Sequence, residues 1–150
     1  MRGIVFWAVL GALAVGLAGC GGSGEKKGET EEPAAAAKAA CNGAALADTS
    51  KLDLPPSWPQ IEADKMTYTK QEKTGPTAVI EGYFNGDVEE AHDEWKKELQ
   101  ASGYKILFDE LEDHDSEVSW SGEGRTGQVA LREECGSPDK IWVHITNRPA

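Results

Sequence analysis

Basic residues are scarce in this sequence and nowhere clustered. Against 26 Asp and Glu stand 15 Lys and Arg, a formal net charge of −11. Lys96–Lys97 is the only adjacent basic pair after residue 30. Attraction to nucleic-acid phosphates or to anionic head groups needs a basic patch, so neither is an expected partner. Histidine is scarce as well. His92, His114 and His144 stand far apart, and no two share the short spacing from which a chain builds a zinc site. No serine occupies a G-x-S-x-G elbow and no cysteine belongs to a C-x-x-C pair. "GEGRTG" opens as G-x-G, but no helical pattern follows it, so it is not a phosphate cradle. Apolar runs are short too. The longest, Ile4–Leu17, is broken by glycines and falls short of the roughly 20 residues a membrane-spanning helix needs.

What that run does resemble is a secretion leader: one positive charge, Arg2, then an apolar core. It ends in Leu17-Ala18-Gly19-Cys20. This stretch resembles the lipobox of bacterial lipoproteins, in which Leu, a small residue and Gly or Ala precede a cysteine. The resemblance covers about the first 20 residues. It implies that residues 1–19 are a signal peptide and that Cys20, acylated through its thiol and often its new amine, becomes the first residue of the mature chain. It places the rest on the non-cytoplasmic side of an envelope membrane. Two or three acyl chains hold a protein stably where one does not.

Residues 20–40, "CGGSGEKKGETEEPAAAAKAA", carry no large apolar side chain and are expected to be a flexible tether. About 20 such residues would hold a domain on the order of 25 Å from the bilayer. "AAAAKAA" is expected to form a transient helical turn or two. With Cys20 spent on lipid, Cys41 and Cys135 remain, and in an oxidising compartment their default is a disulfide. Free thiols or metal ligands are the alternatives.

Residues 41–150 are read as one domain. "PPSWP", Pro55–Pro59, cannot be helical and is expected to be an extended lid that brings Trp58 onto the domain. Met66–Gln71 alternates, "EKTGP" turns, and "TAVIEGYF" pairs back as a hairpin. Val88, Ala91, Trp95 and Leu99 make the apolar stripe of a helix over 88–101, with Asp87 and Glu90 as a capping box and Gly103 as its stop. Strands are expected at Tyr104–Phe108, Val118–Ser121, Gln128–Glu133 and Lys140–Thr146. The order is ββαββββ. It predicts a two-layer α+β fold: an antiparallel sheet of about five to six strands covered by one amphipathic helix. Tyr83, Trp95, Leu99, Ile106, Phe108, Trp120, Leu131, Ile141 and Val143 would form its core.

Three readings of function follow. The first is a non-catalytic envelope lipoprotein that binds a protein or glycan through the sheet face away from the helix, with Trp58, Trp142 and His144 as the candidate surface. The second is an envelope hydrolase whose histidines and carboxylates meet only on folding. The third uses the acidic run Asp109–Glu117. Asp113, Asp115 and Glu117 are spaced by two, as in calcium loops, and would hold Ca²⁺ weakly; the glycine that lets an EF-hand loop turn is missing. No other cofactor is implied.

Overall fold

The computed structural model describes residues 31–150. The leader, Cys20 and residues 21–30 lie outside them. The elements run α1 (Glu31–Cys41), β1 (Met66–Thr74), β2 (Thr77–Asn85), α2 (Val88–Ala101), β3 (Lys105–Leu111), β4 (Asp115–Gly122), β5 (Arg125–Arg132) and β6 (Lys140–Pro149). The six strands form one antiparallel sheet in the order β1-β2-β6-β5-β4-β3. The α+β architecture read from the sequence is therefore the observed one.

α2 forms where the apolar stripe places it, and buries Val88, Ala91, His92, Trp95 and Leu99. Asp87 Oδ1 accepts from the Glu90 amide at 2.8 Å. The other half of the expected box is absent, because the Glu90 carboxylate is drawn instead to Lys65 Nζ at 3.0 Å. At the far end Tyr104 N–H donates to Leu99 O and Gly103 N–H to Gln100 O, both at 3.0 Å. Gly103 takes φ of +86°, the left-handed stop that glycine allows without strain.

α2 lies on the helix face of the sheet against β3, β4 and β5. There Ile80, Phe84, Val118, Trp120, Val129, Leu131, Ile141, Val143 and Ile145 are fully buried with Trp95 and Leu99. The register puts Trp120 opposite Gly127, where a side chain would meet the indole at 2.8 Å. Two residues assigned to this core are elsewhere. Tyr83 pairs with Trp142 and so faces away from α2. Phe108 is half exposed, because the register of β3 shifts between Ile106 and Phe108. One extra residue in a strand reverses the facing of everything after it. Asp109 and Leu111 therefore take the side that Phe108 was expected to hold.

The composition of residues 20–40 predicts a tether, yet its last part is the helix α1, packed on the far face of the sheet. Ala37 and Ala40 are buried there against Trp142. Alanine is the best helix former and lets two surfaces approach closely. The apolar partner that offsets the ordering entropy comes from β6, about 100 residues away in sequence, so local composition could not reveal it. Cys41 closes the helix, at disulfide distance from Cys135 with the Cα atoms 5.4 Å apart. Lys140 Nζ donates to the otherwise orphaned Cys41 carbonyl at 2.5 Å and lies 3.6 Å from the centre of the Tyr83 ring.

Candidate functional site

The far face was expected to display Trp58, Trp142 and His144 together, and the structure separates them. Trp142 is 5% exposed beneath α1. Trp58 is equally buried, on the opposite side of the sheet, where its ring stacks edge-on against Tyr104 and Trp120 and tilts on Trp95. His144 stays half-buried on the far face, its ring 5.4 Å from that of Trp142. The cause is the second helix. A two-layer domain with one helix leaves Trp142 bare, whereas α1 makes this half of the sheet a three-layer structure.

Below α1, His144 meets a buried carboxylate. Its Nδ1 lies 3.4 Å from Glu81 Oε1, and Lys70 Nζ lies 3.8 Å from Oε2. The His144 interaction, then the charge of Lys70, holds the Glu81 pKa below its ordinary value against the upward push of burial. This is a His–carboxylate pair of the kind a hydrolase needs. Neither residue lines the cavity at Tyr68 or the groove at Leu107, and the hydroxyl found against Glu81, that of Thr69, donates to its backbone carbonyl at 3.5 Å.

Sequence spacing gave no sign of a second polar cluster. His92, on the buried stripe of α2, places Nδ1 2.6 Å from Ser116 Oγ on β4 and Nε2 3.7 Å from Asp109 on β3. Lys96 pairs with the same aspartate. Serine, histidine and aspartate in line suggest a catalytic triad. Burial argues against one, since Ser116 is 1% exposed at the second position of β4, paired to Leu131 and Leu111. A nucleophile needs access and free donors for an oxyanion. The trio ties α2 to the sheet instead.

The acidic run is shorter as a loop than expected. β3 continues to Leu111 and β4 starts at Asp115, which leaves a tip at Glu112–His114. Glu117 points to the far face, where it accepts from Gln128 Nε2 at 2.7 Å and lies 3.9 Å from Arg132. His114 pairs with Glu133 at 3.0 Å. Among the described residues no three His, Cys, Asp or Glu side chains converge as a metal site.

Among the described residues, two concavities away from the acidic tip stand out. On the far face beyond α1, Leu107, Ser119, Thr126, Gln128, Thr146 and Arg148 line an open groove of about 320 Å³. Leu107 and Phe108 at its edge are 53% and 50% exposed. On the helix side, a cavity of about 200 Å³ lies between Tyr68 of β1 and the segment that carries Leu54, Pro55, Pro56, Trp58 and Gln60. Comparison of the chain with protein-family models, with curated proteins and with solved structures finds no match. Among the described residues no helix is long and apolar enough to cross a membrane.

Proposed function

We propose that the chain is a lipid-anchored protein of a bacterial envelope, held through Cys20, whose domain is a binding module and not a catalyst. The lipobox-like Leu17–Cys20 supports the anchor. α1 starts eleven residues after Cys20 and ends on the sheet, so the effective tether is residues 20–30, about half the length composition suggests. The domain would then ride close to the bilayer, on the order of 20 Å away.

The observation that carries the binding role is the exposed edge of β3. This strand ends the sheet, so one side of its backbone is unpaired. Leu107, Phe108 and Leu111 on it are the exposed large hydrophobic residues of the domain. Asp109 and Glu110 between them discourage indiscriminate strand pairing. Apolar side chains set among acids, on a chain of net charge −11, suit a protein partner with an apolar and basic surface.

The test is a photo-reactive residue at position 108 in the full chain in intact cells, with position 89 on the exposed side of α2 as the control. A discrete adduct at 108 that disappears with Leu107→Asp supports the reading. Equal labelling at both positions, or none at 108, refutes it. The Ca²⁺ reading at Asp113, Asp115 and Glu117 gains no support from geometry, since Glu117 is already engaged by Gln128. Calorimetry with millimolar Ca²⁺ decides it.

A further inference from the structure

The turn between β3 and β4 fixes which backbone groups the free edge of β3 presents. Glu112 N–H donates to Asp115 O at 2.8 Å. Along an antiparallel strand, successive residues direct their N–H and C=O alternately to one neighbour and to the other. Counting back from Glu112, Glu110 and Phe108 direct theirs to Glu117 and Ser119 of β4. Those of Asp109 and Leu111 then point outward, where β3 has no neighbour. The register shift between Ile106 and Phe108 ends this regular spacing, so the open edge is Phe108–Leu111.

The side chains of this edge divide between the two faces of the sheet. Asp109 and Leu111 oppose Val118 and Ser116, which are buried on the α2 side. Phe108 and Glu110 oppose Ser119 and Glu117 and stand on the far face. The two acids differ in their surroundings. Asp109 already pairs with Lys96 of α2. Glu110 is exposed and faces a second carboxylate, that of Glu117, which Gln128 and Arg132 engage. Among the described residues no cation lies within 4.0 Å of the Glu110 carboxylate.

The geometry points to a partner that adds an extended segment as a seventh strand, antiparallel to β3, and carries apolar, basic, small polar and apolar residues opposite Leu111, Glu110, Asp109 and Phe108 in turn. This inference rests on the reading that the β3 edge binds a protein, and it names the mode and the chemistry. The residues opposite Leu111 and Asp109 exchange backbone hydrogen bonds with them. A Lys or Arg opposite Glu110 supplies the cation that this carboxylate lacks. Apolar side chains cover Leu111 on one face and Phe108 on the other. A second copy of this chain does not meet these needs. A two-fold pair of β3 strands sets one residue opposite its own copy. At Asp109 or Glu110 that brings carboxylate against carboxylate, and at Phe108 it runs into the shifted register. The net charge of −11 on each copy opposes it further.

The test titrates the ¹⁵N-labelled full chain, in detergent micelles, with the peptide acetyl-Thr-Val-Lys-Thr-Val-Thr amide, whose central Val-Lys-Thr-Val fits the pattern. A segment this short binds with Kd on the order of 1 mM. The Asp109 and Leu111 amides should gain protection from hydrogen exchange, while those of Phe108 and Glu110, already bonded to β4, change little. N-methylation of the first valine or the central threonine, whose N–H groups point at β3, should weaken binding about tenfold. N-methylation of the lysine or the second valine should weaken it less than about twofold. Glu110→Lys, on an exposed side chain, should weaken the lysine peptide about threefold and favour the peptide with glutamate in its place by a similar factor. No saturable binding, methylation effects that do not alternate, or protection that spares Asp109 and Leu111 overturns strand addition. With a discrete adduct at position 108 in cells, such a result removes the mode and leaves the partner; without that adduct both fall.

Discussion

Breaking the Cys41–Cys135 cross-link is the perturbation whose size follows most directly from the fold. The two cysteines are 94 positions apart, so the bond closes a loop over nearly the whole domain. In the chain-entropy model a loop of that length removes about 4–5 kcal/mol of freedom from the unfolded state. Small domains are stable by only about 5–15 kcal/mol. A domain of this size lacking the bond should therefore melt roughly 15–20 °C lower. The location of the bond adds a second consequence. Cys41 is the last residue of α1, so the bond also fastens that helix over Trp142. In the Cys41→Ser/Cys135→Ser variant, urea denaturation followed by circular dichroism should show the global loss. Iodide quenching, compared between that variant and the same variant carrying Trp142→Phe, should show Trp142 becoming accessible in mild denaturant before the other indoles. A loss of stability under about 1 kcal/mol would refute the reasoning, because it would mean that the bond does not constrain the unfolded chain.

The other expectations concern the polar clusters. Ser116→Ala removes the partner of a buried imidazole and should cost about 1–3 kcal/mol in urea denaturation. Stability lost in equal measure by Ser116→Thr, which keeps a hydroxyl, would show that packing and not the hydrogen bond is at issue. Glu81 has its pKa held below the ordinary 4.5, chiefly by His144 and then by Lys70. The fold thus favours the ionised form. That contribution is fully present above about pH 4.5 and is lost as pH falls through the lowered folded value. The acid limb of stability against pH should flatten in Glu81→Gln, and an unchanged limb would contradict the cause assigned.

Which parts of this fold can be read from the chain depends on the range of the forces that set them. α2 is legible to the residue, because its stripe, its Asp87 cap and its Gly103 stop are all local. The six strands are legible as segments for the same reason. Their ends are less so: β4 and β5 extend into the stretches that glycine and acid content mark as turns, since pairing with neighbours already in the sheet stabilises them. Tyr83 and Phe108 are misplaced by alternation alone. For Phe108 the cause is a register shift in β3 that no residue type announces. α1 and the burial of Trp142 are invisible locally, since each needs the other. The candidate surface fails with them, because both Trp58 and Trp142 are consumed in packing. His92–Ser116 and the Trp58 cavity arise only from tertiary contact, and nothing in the spacing marks them.

Placement in the envelope is the claim on which the binding module near a bilayer depends, and the mass of the native protein tests it most directly. Intact-mass and peptide spectra of material taken from its own host should begin at Cys20, with the leader gone and a diacylglyceryl thioether on that sulfur. A free Cys20 thiol, or a chain that still begins at Met1, would contradict it.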